Sequence, residues 1–451
     1  MVSEAYLNGV YLGFTADQFL RYTFDVTTAL KATNNTLMVV FTQFSDARNT
    51  EERWMACSGG WDWAMISGTS FRGCGTFSKG IWRPAYLLGI RAGSAAIAHV
   101  APRVYYHGAY PQAPLADAAH GDFSVNVDVH FEAPAATSGT LTAVGAWPGG
   151  AAAPAVRVAL PAGNSSARVV LAAANNSVAL WWPANTPGAQ NLYNVSVVFT
   201  PDGAGAAPLA DARRVGFRVF TLVTGNDTDP STLAGKDGQT HFTMRFKVNG
   251  ADIWSRGGAF FWGVGGEAGG GAAPAGAGRA RPSHAPPHTH AHTPAHSAAH
   301  SAANMIPVEE MEGRTSVENL RRLVQSAAEG GFNTFRLWGG GIFQYDAWYD
   351  ACDEFGLLIY HDLMFAQGNH APLRTPTQTA EILYQVRRLA EHPSIAVWDG
   401  CNECGFSPKK APLHARARPR RARTHAHTHA RTSPPTHLVL QAMGTASTRT
   451  L

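Results

Sequence analysis

The sequence predicts a multidomain chain, all-β in its first half and α/β in its second, and three features carry that prediction. Through residue 223, short apolar and polar alternations are broken by Gly, Pro, Asn and Asp turns. From residue 246 on, strand-like runs alternate with helical patterns. The last such run, residues 394–405, reads S-I-A-V-W-D-G-C-N-E-C-G. Its apolar residues lead straight into a polar cluster, as a buried parallel strand does where its C-terminal end meets a site. A chain of 451 residues with 45% hydrophobic content can bury a core in each of several domains.

Taken in order, the chain opens with A-Y-L-N-G-V-Y-L-G-F from Ala5, an Asn-Gly pair between two alternating runs, which predicts a hairpin. Strand-like runs follow at 20–26, 35–41 and 80–90 and complete an antiparallel sandwich over residues 1–92. A hairpin so close to residue 1 leaves its first strand little length, so this domain is expected to lack its beginning. Runs at 123–131, 156–160, 194–200 and 214–222, separated by Ala/Gly/Pro turns, predict a second, immunoglobulin-like sandwich over 93–223. Beyond the turn-rich 225–230, strands are predicted at 246–258, 332–338, 357–365 and from 394, and helices at 316–329, 346–354 and 379–392. In the last helix Ile382, Leu383, Val386 and Leu389 recur at helical spacing and Pro393 marks its end. Four strand–helix units over 235–406 predict half of a (β/α)8 barrel.

Two blocks break the pattern. Residues 259–303 and 407–451 are Ala/Gly/Pro/His/Arg-rich and hold eleven of the nineteen histidines. Metal-binding His tracts are one reading; low complexity without a packed core is the other, and both blocks are expected to pack against nothing. They read as intron-derived sequence, because joining Gly258 to Asn304 restores W-S-R-G-G-N-M-I-P-V-E-E. The formal charge of +4 belongs to the tail: residues 407–451 carry nine Lys/Arg and no Asp/Glu, so the remainder is net negative and a nucleic-acid partner loses its support. Five scattered cysteines make no disulfide framework, and Cys401-x-x-Cys404 has no second pair at zinc spacing. Sequons at Asn34, Asn164, Asn175, Asn194 and Asn226 suit a secretory-pathway protein, although no leader opens the sequence; the alternatives are a cytosolic protein or a missing start. No run of eighteen apolar residues is present, so no membrane partner is expected.

The chemistry is expected at Glu403 with Asn402 before it, since reactive groups of a (β/α) barrel sit at the C-terminal ends of its strands. The bland alternative is a solvated loop glutamate beside a cysteine pair. In G-G-W-D-W, Asp62 stands between Trp61 and Trp63. These are either core tryptophans beside a turn aspartate or a sugar contact, in which aromatic faces pack on pyranose C–H surfaces and the carboxylate accepts hydroxyl hydrogen bonds.

These pieces resemble the β-mannosidases of glycoside hydrolase family 2. The resemblance rests on Y-L-N-G-V, G-G-W-D-W, T-F-S-K-G-I-W-R-P from Thr76, R-R-V-G-F-R-V-F from Arg213, R-L-W-G-G-G-I-F from Arg336 and H-P-S-I-A-V-W-D-G-C-N-E, which occur in the family's order over residues 5–406, outside 259–303. The loop at 64–73 departs from the family pattern. The resemblance implies a jelly-roll, galactose-binding-like first domain, an immunoglobulin-like second and a catalytic (β/α)8 barrel. It implies a retaining, exo-acting hydrolase that releases terminal β-linked mannose from oligosaccharides or N-glycan fragments, with no cofactor and no metal, in the lysosome or vacuole.

By the same resemblance Glu403 is the general acid/base and Asn402 binds the 2-hydroxyl. Trp338 and Arg336 form the floor and support of the sugar subsite, and Asp62, flanked by Trp61 and Trp63, contacts the far hydroxyls of the mannose. A retaining enzyme needs Glu403 protonated, through burial or a neighbouring carboxylate, and a nucleophilic carboxylate about 5 to 5.5 Å away. The family's nucleophile lies at the end of strand seven, beyond the point where the resemblance stops near Phe406. The nucleophile is therefore expected to be absent from this chain and the chain to be inactive; a non-catalytic carbohydrate-binding remnant is the alternative.

Overall fold

The computed structural model describes residues 2–41, 53, 80–117, 119–150, 152–203, 205–223, 245–257, 303–309, 315–366, 372, 375–404 and 437–442. Asn8 and Gly9, at φ 53° and 83°, turn β1 (Ser3–Leu7) into β2 (Val10–Thr15), the backbone that a two-residue hairpin demands. β4 (Leu37–Phe41) pairs antiparallel with the other side of β1. In a second sheet β3 (Tyr22–Asp25) and β5 (Ala85–Ile90) flank β20 (His437–Ala442), which runs antiparallel to both. The tail therefore does not pack against nothing, as its composition predicted. Two strand edges with free N–H and C=O groups take up the short apolar run L-V-L, and backbone pairing on both sides outweighs the composition around it.

The middle unit is a β-sandwich of two sheets. One has the order β10 (Gly163–Ala173), β7 (Phe123–Ala133), β6 (Ala96–Tyr106); the other β12 (Leu209–Val215), β11 (Tyr193–Pro201), β8 (Thr137–Gly145), β9 (Val156–Leu160). Strand alternation turns Val125, Val127, Val129 and Phe131 inward against Leu141, Val195, Val197 and Phe199, all fully buried. Truncating Phe131 or Phe199 to alanine would cost about 3 to 5 kcal/mol.

Two predicted strands are corrected here. The run at 214–222 splits: β12 ends at Val215, and β13 (Phe220–Val223) joins another sheet. Between them Phe217 drops into the sandwich core, and its carbonyl accepts from Trp181 N at 2.7 Å. The run at 246–258 is not a barrel strand but the hairpin of β14 (Arg245–Val248) and β15 (Ala251–Ile253), antiparallel to β13 and turned at Asn249-Gly250 with φ 50° and 79°. The turn signal is the same Asn-Gly that marks the first hairpin.

The second half carries a four-stranded parallel sheet in the order β16 (Ala303–Met305), β17 (Thr334–Leu337), β18 (Leu358–Asp362), β19 (Ile395–Asp399). Helix α1 (Val317–Glu329) starts at Ser316, whose Oγ accepts from Asn319 N at 3.1 Å, and it buries Leu320, Leu323, Val324 and Ala327 at helical spacing. Helix α2 (Asp346–Phe355) ends at Gly356 in the left-handed conformation. Helix α3 (Pro376–Leu389) is capped by Thr375 with Pro376 in its first turn, three residues earlier than predicted.

The apolar face predicted for α3 is also corrected. Leu383 and Val386 are exposed, while Gln378, Glu381, Gln385 and Leu389 are buried. The buried stripe is polar because it meets hydrogen-bonding groups of the N-terminal sandwich: Gln385 Nε2 donates to Phe19 O at 2.6 Å, and Glu381 pairs with Arg53. β19, expected to be fully buried, lies at one end of the sheet with Trp398 39% exposed.

The middle sandwich is fastened to the parallel sheet through Trp181 Nε1 to Asp353 O at 2.8 Å, Arg218 to Ile395 O at 2.6 Å, and ion pairs of Arg214 with Asp350 and Glu354. The block 259–302 lies outside the described residues, but its flanks are close in register. Arg256 exchanges hydrogen bonds with Asn333, and Asn304 is the register partner of Arg336. Among the described residues no helix is long and apolar enough to cross a membrane.

Candidate active site

Arg336, Asp362 and Asn402 come from the ends of three neighbouring parallel strands and meet at one point. Arg336 Nη2 donates to Asp362 Oδ2 at 2.7 Å and to Asn402 Oδ1 at 2.9 Å, and its Nε donates to Asp362 Oδ1 at 3.3 Å. The register explains the meeting: Arg336 is opposite Tyr360, and Asp362 is opposite Asp399, three positions before Asn402. Asp362 is fully buried and Arg336 is 26% exposed. Burial raises the Asp362 carboxyl to about 6, against the pull of the Arg336 charge and of the Gly339 amide, which donates to it at 3.1 Å.

Asn402 is held at its backbone as well. Its amide donates to Phe365 O at 3.0 Å, and it bridges to Ala366. A side chain at Gly339 would collide here, because a Cβ would stand 2.2 Å from Phe365 O, so the second strand end can approach Asn402 only with glycine. Trp338, half-buried, is fixed through its amide to Met305 O at 3.0 Å, and its ring lies over Gly340. The structure thus brings Arg336, Trp338 and Asn402 to one strand-end surface.

Glu403 follows in the left-handed conformation at φ 52°, with its side chain exposed. Of the two expected means of keeping Glu403 protonated, burial or a neighbouring carboxylate, burial is not what the structure shows: Glu403 stands in a turn beyond β19. Cys401 and Cys404 are joined in a disulfide that closes a loop around Asn402 and Glu403. Of the two other carboxylates here, Asp362 is taken by Arg336, and Asp399 accepts from Tyr360 Oη at 2.7 Å and from Cys401 N at 3.3 Å. Trp61, Asp62 and Trp63 lie outside the described residues.

Sequence reasoning missed Asp362, which shows no motif of its own; its place at the end of β18, one strand over from Arg336, was the available signal. One cluster of metal-ligand types occurs among the described residues, Asp350, Asp353 and His392. It lies at the opposite, N-terminal end of the strands and is engaged in ion pairs: His392 Nδ1 meets Asp353 Oδ2 at 2.6 Å, and Arg214 meets Asp350.

No family model matches the chain. Among curated proteins it is 26% identical over 432 residues to the β-mannosidase of Rattus norvegicus, covering 89% of this chain and 40% of that one. It is 24% identical over 434 residues to β-mannosidase A of Aspergillus aculeatus, covering 88% and 39%. Among solved structures, a β-D-mannosidase from Dictyoglomus thermophilum superposes with a TM-score of 0.58 at 21% identity, over 88% of this chain and 41% of that one. An exo-chitosanase from Amycolatopsis orientalis does so with a TM-score of 0.53 at 14% identity, over 88% and 37%. These two likenesses concern the fold alone. The chain is thus similar in sequence to β-mannosidases and spans about two-fifths of the length of the curated relatives it matches.

Proposed function

We propose that this chain carries the proton-donor side of a site that binds and cleaves terminal β-linked mannosides. Glu403 is its general acid/base, Asn402 its contact to the 2-hydroxyl, and Trp338 its apolar floor. The observation that carries this reading is the Arg336–Asp362–Asn402 network, which fixes the residue next to Glu403 at a strand end through both side chain and backbone. A proton donor at the leaving oxygen must be held within hydrogen-bond reach, and a neighbour locked on two sides supplies that constraint.

In the same reading the parallel sheet is the first half of a (β/α)8 barrel, the first unit is a jelly-roll sugar-binding domain and the second is immunoglobulin-like. Asp62, between Trp61 and Trp63, reaches the far hydroxyls, and the block that begins at residue 259 separates the β14–β15 hairpin from the first strand of the barrel. Secretory-pathway passage to a lysosome or vacuole fits the exposed sequon asparagines Asn34, Asn164, Asn175 and Asn194 and the Cys401–Cys404 disulfide. The substrates are β-mannoside oligosaccharides or N-glycan fragments.

A second reading, carbohydrate binding without cleavage, is favoured by one observation. Asp362 and Asp399 are both engaged by other groups, so the nucleophilic carboxylate of a retaining mechanism must come from elsewhere. Titrating the full chain with methyl β-D-mannopyranoside and assaying an aryl β-mannoside separates the two. Binding with hydrolysis supports the enzyme, binding alone supports the remnant, and neither sinks both. Where hydrolysis occurs, Glu403→Gln should abolish cleavage of substrates with poor leaving groups and spare activated aryl mannosides, whereas equal loss on both removes Glu403 from the acid role.

A further inference from the structure

Arg53 belongs by sequence to the N-terminal unit, just upstream of G-G-W-D-W, yet its side chain is buried in the parallel-sheet unit. Its backbone is tied to its own unit, with Arg53 N donating to Ala16 O at 2.9 Å and Gln18 N donating to Arg53 O at 3.0 Å. Its guanidinium forms a two-point pair with Glu381 of α3, at 2.7 and 2.9 Å, both side chains being at most 2% exposed. The same Nη2 donates to Met364 O, and the guanidinium lies 4.2 Å from the ring centre of Phe365.

Residues 364–366 are thus held from two sides. Arg53 grips Met364 and Phe365 from the N-terminal unit, and Asn402 receives its backbone partner from Phe365 and bridges to Ala366. Asp17, next to Gln18 in the turn after β2 and bridged to Arg53 at the backbone, is buried and faces Glu381, so the lock gathers two carboxyls around one guanidinium.

We propose that Arg53 is a positioning residue for the candidate site: by holding the 364–366 shelf it fixes Asn402, and with it Glu403, relative to the N-terminal unit. This rests on the assignment of Glu403 and Asn402 to the mannoside site. A fork that bonds a carboxylate and a backbone carbonyl at once specifies geometry, which a lysine in its place would not reproduce. It also explains why α3 buries Glu381 while Leu383 and Val386, which periodicity predicted to be buried, are exposed.

The test compares the full chain and its Asp17→Asn variant with Arg53→Lys and, in the Asp17→Asn background, with the double variant Arg53→Met/Glu381→Met, so that no carboxylate is left buried without its cation and simple failure to fold is guarded against. Two quantities are read: amide exchange in the peptide containing Asn402, against exchange in β7 as an internal reference, and the dissociation constant for methyl β-D-mannopyranoside. In the double variant the Asn402 peptide should exchange at least tenfold faster with β7 unchanged, and mannoside affinity should fall at least tenfold; Arg53→Lys should lie between. Unchanged Asn402 exchange in the double variant overturns the proposal. So does faster exchange with unchanged mannoside affinity, which would leave Arg53 a purely structural tie. If exchange responds while the unsubstituted protein binds no mannoside, Arg53 still positions the shelf, and it is the mannoside reading that fails.

Discussion

Arg336 and Asn402, 66 positions apart, share a 2.9 Å hydrogen bond at the ends of β17 and β19, and Asp362 of the strand between them takes the other arm of the same guanidinium. One cation thus sets the orientation of Asn402 and opposes the burial that raises the Asp362 carboxyl.

Removing that cation should be costly. Arg336→Ala leaves Asp362 buried without its partner, and breaking a buried pair by deleting one member costs about 3 to 5 kcal/mol. Arg336→Lys keeps the charge but has one ammonium where a fork served two acceptors, so a loss of about 1 to 2 kcal/mol is expected. Chemical denaturation of the two variants against the parent checks both values. Both should also weaken mannoside binding, because Asn402 loses its side-chain donor.

Asp362 predicts an acid-side pH dependence of stability. Its folded pKa is raised to about 6, so the neutral form is favoured in the fold. Its contribution is fully present below the unfolded carboxylate value of about 3.9 and is lost as pH rises through about 6. Unfolding free energy measured from pH 4 to pH 6.5 should therefore carry a downward component on the order of 1 to 3 kcal/mol, and Asp362→Asn should remove it. A parent whose slope matches that of Asp362→Asn would refute this.

His392 predicts a second dependence, on the alkaline side. Burial alone would lower its pKa, but the Asp353 carboxylate at 2.6 Å overcomes this and raises it to about 9, with Glu391 and Asp350 adding in the same direction. The stabilisation is complete below the unfolded histidine value of about 6.5 and is lost as pH rises through about 9. Thermal melts between pH 6.5 and 9.5 should fall in the parent and stay level in His392→Gln. The difference at neutral pH should be on the order of 3 kcal/mol.

Excising residues 259–303 should leave β17 and its partners in register. Arg256 already bonds Asn333 and Asn304 already faces Arg336, so Gly257 and Gly258 supply the residues needed to pass Thr334 and Phe335. The shortened chain should unfold cooperatively at an equal or higher temperature, since closing a shorter loop costs less entropy. A drop of several degrees, or loss of protection at Leu337, would show that the block contributes contacts of its own.

Local chemistry was legible wherever one or two residues decide it. Asn8-Gly9 fixes a hairpin because both positions need positive φ, Ser316 starts a helix because its hydroxyl satisfies an otherwise unpaired amide, and Val125, Val127 and Val129 face one core because strand side chains alternate. The placement of Asn402 and Glu403 at a strand end followed from the polar residues that close the apolar run at 395–399. Other features depend on contacts between distant segments, and only the tertiary structure decided them. Helix α3 buries Glu381 and Gln385 because Arg53 and Phe19, more than 300 positions away, offer them partners, a preference that periodicity cannot encode. Asp362 joined the site through strand register, and Glu403 proved exposed because a left-handed turn carries it out beyond the sheet. His437–Ala442 became a strand because β3 and β5 each had an open edge, and an unpaired edge selects its partner by backbone geometry, which leaves little trace in composition.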